Sequence, residues 1–208
     1  MYIWVVLATF LAAIASYYLA PRNDMRELTV VPLAEAEIAK VVTQHKAAST
    51  YIGHHKRSSG SSLPTYIIGE LTENELAPYF PYGHGINDNY ATLVYCVDEN
   101  YSQLYQTPNE CFSNSTNIKY LITCGSLPLR WVNLNTGTPT ADFMTAMRHS
   151  VSADSGLGYT VYHDGSFWIF EHNQTQTEVP PILLDQGGLQ DYCGFDEEQA
   201  AIVYMNKI

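Results

Sequence analysis

The sequence predicts an α+β protein in which an N-terminal transmembrane helix leads into an amphipathic helix packed on an antiparallel β-sheet. Three features predict it: an uncharged apolar run from Tyr2 to Ala20, apolar residues at helical spacing from Leu33 to Ile52, and short β-branched and aromatic segments between turn residues in the rest of the chain. We therefore divide the 208 residues into an anchor at 1–21, a proline-interrupted linker and amphipathic helix at 22–57, and a β-rich globular domain at 58–208.

The apolar run is long enough to cross a bilayer once. A helix from Tyr2 to Ala20 extends roughly 28 Å, close to the ~30 Å thickness of the hydrocarbon layer. Tyr17 and Tyr18 lie near its end, where aromatic side chains meet lipid headgroups. Small side chains in the run permit close approach of a partner helix. The residues assigned to membrane or partner-helix contact are Trp4, Ala8, Ala12, Ala13, Ala15 and Ser16.

Two other interpretations of this run remain open. Ala13-Ile14-Ala15 matches the small-x-small pattern of a signal-peptide cleavage site, although no Lys or Arg precedes the run and the run continues past the site. A buried core helix is the third interpretation, but uncharged apolar runs of this length are uncommon in soluble domains.

The segment after Pro32 is predicted to be an amphipathic helix from Leu33 to about Ile52. Pro32 suits a first helical turn, and apolar residues recur at spacings of mostly three and four. The predicted apolar positions are Leu33, Ala34, Ile38, Val41, Val42, Ala48 and Ile52. The predicted polar positions are Glu35, Glu37, Lys40, Gln44 and Lys46.

The chain from Gly53 to Pro64 is predicted to be a flexible loop after this helix. His54 and His55 are adjacent within it, and adjacent side chains do not converge on one metal ion along a helix or strand, so we expect a solvated pair. The aromatic-rich sequence at residues 79–85 is either a contact surface for a partner or a loop covering the core.

Several elements of the globular domain are predicted from local pattern. Residues Ala91 to Val97 and Ile118 to Cys124 are rich in β-branched and aromatic side chains, as strands are. An Asp-Gly turn joins a predicted hairpin at 159–162 and 166–171. Thr140 is the expected N-cap of a helix from Ala141 to Val151. The sequence ILLDQ at 182–186 is predicted to be an edge strand or short connection, and the apolar run from 200 to 205 a tail that completes the domain.

The cysteine content favours disulfide bonds. Cys96, Cys111, Cys124 and Cys193 form an even set without a C-x-x-C pair, which argues against a zinc ribbon or thioredoxin-like site. Three pairings are possible. The short Asn- and Pro-containing loop between the first two favours Cys96 with Cys111 and Cys124 with Cys193. Four reduced core thiols would instead be expected in a cytosolic domain.

Charge and composition restrict the partners and the location. The net charge of −11, with Lys and Arg scattered, argues against a nucleic-acid partner. Arg22, Arg26 and Lys40 follow the apolar run, so the positive-inside rule favours a cytoplasmic domain. The even cysteine count and the tyrosine-rich polar composition favour the opposite side. We expect a single-pass protein of the bacterial inner membrane with a periplasmic domain.

Catalytic motifs are missing from the sequence. No nucleophile elbow, phosphate-binding loop, dinucleotide fingerprint or zinc-protease motif is present. His163 and Asp164 could form a catalytic or metal cluster with His172, but a hairpin turn explains the Asp-Gly pair, and Glu197-Glu198 is more simply a solvated pair. We expect neither an enzyme nor a bound cofactor or metal.

The order of the predicted elements resembles that of type IV pilins and pseudopilins. The apolar segment ending at Pro21, the helix from Ala34 to Ile52 and the late Cys193 carry the likeness, which implies a helix lying against an antiparallel sheet. The chain is also similar to the PilM family of plasmid thin-pilus systems, which implies a role at the pilus base. The run that carries this second likeness comprises Arg130, Trp131, Asn133, Thr136, Gly137, Pro139, Ala141, Asp142 and Phe143.

The resemblance leads to one functional expectation and two alternatives. We expect a non-enzymatic inner-membrane component of type IV or conjugative pilus assembly that binds pilin subunits or other pilus-base proteins and contacts the lipid bilayer through its N-terminal helix. A prepilin has a basic leader ending in Gly and an early Glu, and neither pattern occurs here. A minor pilin or pseudopilin within the filament is the first alternative, and a membrane-anchored extracytoplasmic enzyme or ligand-binding module is the second.

Overall fold

Within the residues that the structure describes, a long helix lies along one face of an antiparallel sheet of eight strands. The computed structural model describes residues 23–57, 67–150, 156–163, 166–171, 176–194 and 199–208. The strands are β1 (Gly69–Glu70), β2 (Ala91–Val97), β3 (Leu104–Tyr105), β4 (Ile118–Ser126), β5 (Leu157–His163), β6 (Ser166–Glu171), β7 (Gln176–Glu178) and β8 (Ala201–Lys207). The α-helices are α1 (Asn23–Arg57), α2 (Glu73–Leu76), α3 (Pro108–Phe112), α4 (Ala141–Ser150), α5 (Pro181–Asp185) and α6 (Leu189–Cys193). Two 3₁₀ turns lie at Ala77–Tyr79 and Leu129–Trp131. The α+β class with a helix preceding an antiparallel sheet is confirmed.

The strand order is β1-β2-β4-β8-β5-β6-β7, and β3 also pairs with β2. Strand β8 is therefore central, with Val203 opposite Cys124 of β4 and Gly158 of β5. The run from 200 to 205, predicted as part of a tail that completes the domain, forms most of this central strand. An apolar run shows that a segment is buried, but only the pairing partners show that it lies in the middle of a sheet.

Both faces of the sheet are covered. On the helix face, α1 and α4 pack against alternate residues of the central strands, including Leu121, Ile202 and Tyr204. On the opposite face, which we call the cleft face, α5, α6 and the connection after β2 pack against the other set of strand residues, including Leu93 and Ile122. Because side chains alternate along a strand, this two-sided burial explains the continuously apolar strand sequences.

Helix α1 is longer than predicted. It begins at Asn23 rather than Leu33, continues through Pro32, and ends at Arg57 rather than Ile52. A proline removes one backbone donor, and the buried neighbours Val31 and Ala34 hold the helix in place on either side of it. The prediction of a loop from Gly53 is therefore wrong for residues 53–57, which are helical.

His54 and His55 lie in the last turns of α1. Nδ1 of His55 donates to the carbonyl oxygen of Tyr51 at 2.9 Å, and the His55 ring lies 4.2 Å from the Tyr51 ring. His54 packs 5.5 Å from Tyr79. The two histidines therefore belong to an aromatic cluster with Tyr51 and Tyr79 at the C-terminal end of α1. They lie there because the helix continues through residues that were predicted to form a solvated loop.

Other local predictions are confirmed. Strand β2 has the predicted limits, β4 starts at the predicted residue, and the strands of the hairpin pair as expected. The amide of Phe143 donates to Oγ1 of Thr140 at 3.4 Å, so Thr140 caps α4. The ILLDQ segment differs: it is helix α5, which begins directly after Pro180.

The predicted single-pass inner-membrane placement, with its periplasmic domain, is contradicted. Among the described ranges, no helix combines the length and the apolar character that crossing a membrane requires. Helix α1 is long enough, but it carries charged residues such as Glu35, Glu37 and Lys40, whose transfer into hydrocarbon is unfavourable. The assigned contact residues Trp4, Ala8, Ala12, Ala13, Ala15 and Ser16, like the whole segment from Tyr2 to Ala20, lie outside the described residues.

Candidate functional site

The buried stripe of α1 contains polar side chains where the sequence predicted a solvated face. Buried residues recur at spacings of three and four, and they are Val31, Ala34, Ile38, Val41, His45, Ala48 and Ile52. Glu37 and Gln44 flank this stripe and are also buried, with exposed fractions of 5% and 1%. Placing these two residues on the polar face was wrong, because the sheet and the loop before β2 cover that side of the helix. We call Glu37, Gln44 and His45, with Tyr90, Thr92 and Thr123, the polar seam.

Glu37 is surrounded by three donors. The Tyr90 hydroxyl donates to its Oε1 at 2.5 Å, while Lys40 Nζ lies 3.1 Å and an Arg130 nitrogen 3.5 Å from its Oε2. Burial raises the pKa of Glu37, but Tyr90, Lys40 and Arg130 outweigh burial and leave it below its usual value. Burial, followed by the Glu37 contact, raises the pKa of Tyr90. Glu37 is thus held ionised and fully partnered.

Gln44 connects α1 to the loop and strand beside Tyr90. Its amide nitrogen donates to the Tyr90 carbonyl at 2.8 Å and to Thr92 Oγ1 at 3.0 Å. Its amide oxygen accepts the backbone N–H of Asn87 at 3.0 Å. These contacts span the gap between helix and sheet, so a shift of α1 along the sheet would break all three at once.

His45 lies at the end of the seam opposite Glu37, next to Thr123. Its ring stacks on Tyr204 with centroids 3.9 Å apart and planes inclined by 10°. Nε2 accepts from the Asn206 amide at 3.2 Å, so Nδ1 carries the proton and donates to Thr123 Oγ1 at 3.1 Å. Burial lowers the pKa of His45 to about 3. The imidazole is neutral and has two partners, as a structural residue does.

The polar seam is suited to holding α1 in one position on the sheet rather than to catalysis. Its polar atoms bind one another, and Thr92 Oγ1 and Thr123 Oγ1 lie 3.2 Å apart between Gln44 and His45. Buried polar groups require partners in fixed positions, so the network selects one register of α1 on the sheet. Within the described part of the chain, no group of three or more His, Cys, Asp or Glu side chains is arranged to hold a metal ion.

The four cysteines form the favoured pairs. Cys96 and Cys111 have Cα atoms 5.9 Å apart, and their bond ties the connection between β2 and β4 back to β2. Cys124 and Cys193 have Cα atoms 5.1 Å apart, and their bond ties α6 to the cleft face of β4. Both bonds are consistent with the prediction that the four cysteines form disulfides.

Exposed leucines lie on two elements that the Glu37–Arg130 ion pair joins. Leu33 is one turn before Glu37 on α1 and has an exposed fraction of 58%. Leu129 and Leu134, with exposed fractions of 68% and 81%, belong to the segment that contains Arg130. We call Leu33, Leu129 and Leu134 the exposed leucines. Exposed side chains of this size on a rigid scaffold are candidates for contact with another protein.

A cleft of about 500 Å³ lies on the cleft face. Tyr101 and Tyr120, whose hydroxyl oxygens are 2.8 Å apart, line it, as do the acidic residues Glu171 and Glu178 and the basic residue Lys207. Sequence inspection missed this cleft, since these residues come from four separate strands and one turn. The sequence pattern that could have indicated the cleft is weak: an Asp-x-x-Tyr turn and two acidic residues in neighbouring strands.

The residues that the sequence offered as catalytic or metal-binding candidates lie outside the described residues, or only their backbone is described. Asp164, His172 and Glu197-Glu198 lie outside the described residues, and for His163 only the backbone is described. The catalytic interpretation of these residues is therefore untested. Neither a family model, nor a curated protein, nor a solved structure matches the chain.

Proposed function

We propose that the chain is a pilin-like, non-enzymatic component of type IV or conjugative pilus assembly that binds pilin subunits or other pilus-base proteins. The observation that carries the proposal is the packing of α1 along one face of an antiparallel sheet, which is the arrangement that the sequence resemblance implies. The late Cys193, bonded to the central strand β4, adds support.

The polar seam and the exposed leucines give this role a physical basis. The seam fixes α1 on the sheet, so the outer side of α1 is a preformed surface that loses little conformational freedom when a partner binds. Leu33, one turn before Glu37 on α1, and Leu129, next to Arg130 in the chain, offer exposed apolar side chains on the two elements that this ion pair joins. Apolar anchors beside satisfied charges are typical of protein interfaces.

The test is site-specific photocrosslinking in cells that carry the pilus system. A photoreactive residue at Leu33 or Leu129 is expected to capture a pilin subunit or a pilus-base protein, identified by mass spectrometry. The control position is Tyr192, which is exposed on α6 at the opposite face of the sheet. Leu33→Asp and Leu129→Asp are expected to reduce both capture and the number of assembled pili while leaving the amount of folded protein unchanged.

Two outcomes would contradict the proposal: normal pili in cells that lack the chain, or identical capture from Tyr192 and from the exposed leucines. Recovery of the chain from sheared, purified filaments would instead favour the minor-pilin alternative over a base component.

A further inference from the structure

We propose that the cleft on the cleft face binds the cationic side chain of an Arg- or Lys-containing segment of a partner protein. This inference deepens the proposed function, because it names the chemistry that a partner presents. It can be tested with purified protein alone, so its failure is separable from failure of the role in pilus assembly.

One wall of the cleft is built on a residue in an unusual backbone conformation. Tyr101 has a φ of +56°, a left-handed conformation that few non-glycine residues adopt. Asp98 holds this turn: its Oδ1 accepts the amides of Ser102 and Gln103, each at 2.6 Å, and its carbonyl oxygen accepts the amide of Tyr101 at 3.1 Å. The turn places the Tyr101 hydroxyl 2.8 Å from that of Tyr120. Backbone strain held by several hydrogen bonds is common at ligand sites.

The cleft is lined by acidic and aromatic side chains. Glu171, Glu178 and Lys207 line the cleft, within a chain of net charge −11. Pro180 and the rings of Tyr101 and Tyr120 provide apolar surface. Aromatic rings beside carboxylates suit a group with an apolar stem and a positive end, as the side chains of Lys and Arg have.

The protein's own Lys207 already places an ammonium group over one of these aromatic rings. Its Nζ lies 5.7 Å from the centre of the Tyr120 ring, at a distance typical of cation–π contact. The face of Tyr120 therefore attracts an alkylammonium group in this structure. A partner's cation would replace Lys207 there, and Lys207 acts as an internal competitor.

The volume of the cleft is sufficient for a side chain of a partner. About 500 Å³ accommodates an extended Arg or Lys side chain with part of its backbone. The three-residue strand β7, which carries Glu178, ends the described sheet and lies beside this opening. An extended peptide can therefore approach along β7 and place one side chain in the cleft.

The experiment uses the full-length protein and two fluorescent peptides, Gly-Ser-Arg-Gly-Arg-Ser-Gly and the same peptide with Gln in place of Arg, with binding measured by anisotropy at low salt. The Arg peptide is expected to bind and the Gln peptide to bind more weakly. Glu178→Gln is expected to weaken binding of the Arg peptide by about two- to five-fold. Its matched control is Glu73→Gln, an exposed residue on α2 with the same change of charge.

Lys207 provides a second, opposite readout. Lys207→Met is expected to strengthen binding by about two- to five-fold, because it removes the competing cation. Its matched control is Lys46→Met, at an exposed position on α1, which changes the net charge equally. No binding of the Arg peptide, equal binding of the two peptides, or equal effects of each variant and its control would overturn the proposal.

Discussion

The hydroxyl of Tyr90 donates a hydrogen bond of 2.5 Å to Oε1 of Glu37, and this contact joins the loop before β2 to the buried side of α1. Fifty-three positions separate the two residues in the sequence. The contact is one end of the polar seam, which holds helix and sheet in one relative position. Four predictions concern the seam, the disulfides and the packing beneath α1.

Glu37→Ala is expected to lower the free energy of unfolding by about 1–3 kcal/mol, because it leaves the buried Tyr90 hydroxyl without its acceptor. Urea denaturation at neutral pH measures this loss. Glu35→Ala on the same helix is the control: Glu35 is partly exposed and contacts the exposed His149 at 3.7 Å, so its change should stay within about 0.5 kcal/mol. Because the pKa of Glu37 is lowered in the folded chain, its contribution is complete above the unfolded pKa and is lost as the pH falls through the folded value. Equal losses for the two variants would contradict the role of the seam.

His45 is expected to make the protein less stable in mild acid. Its pKa is about 3 when folded and 6.5 in the reference state, so between these values the unfolded chain binds the extra proton. The contribution of neutral His45 to the free energy of unfolding is therefore fully present above pH 6.5. It decreases toward pH 3, by up to about 1.4 kcal/mol per pH unit. Urea denaturation between pH 7 and pH 5 measures the slope.

His45→Gln cannot titrate and should remove most of that slope while retaining an amide in the seam. A wild-type slope that persists in His45→Gln would show that other groups cause the acid sensitivity.

The two disulfides are expected to differ in their contribution to stability. Chain-entropy arguments give about 4 kcal/mol for the Cys124–Cys193 bond, with a sequence separation of 69, and about 3 kcal/mol for Cys96–Cys111, with a separation of 15. Replacing each pair by Ala and comparing urea denaturation without reductant measures the difference. Peptide mapping of the oxidised protein checks the pairing directly, and a Cys96–Cys124 peptide would refute it.

Two glycines are expected to respond to alanine in opposite directions. Gly53 lies inside α1 with open space where a Cβ atom would be added, so Gly53→Ala should stabilise the protein by about 1 kcal/mol through helix propensity. At Gly125 of β4, an added Cβ would collide with the carbonyl oxygen of Asn89 and the ring of Tyr90. Gly125→Ala should therefore destabilise the protein by about 1–3 kcal/mol. Thermal unfolding of both variants measures the contrast, and a change of the same sign in both would contradict the packing described for β4.

Local pattern was sufficient for some elements and misleading for others. Strands β2 and β4 and the cap at Thr140 follow from residue type and spacing within a few positions, which are short-range properties. Glu37 and Gln44 were assigned to the solvated face, since helical periodicity counts polar residues as exposed. Their burial depends on Tyr90 and Thr92, which follow about fifty residues later.

The sequence by itself determined the α+β class, the main strands, the helix at Ala141 and the favoured cysteine pairing, because these depend on local periodicity, turn residues and loop length. Only the tertiary structure decided that β8 is central, that α1 continues through Pro32, and that the cleft forms between Tyr101 and Glu178. These features depend on contacts between residues far apart in the chain. The physical reason is that a buried polar group or a strained turn is stable only when its partners are present, and the order of residues alone does not identify those partners.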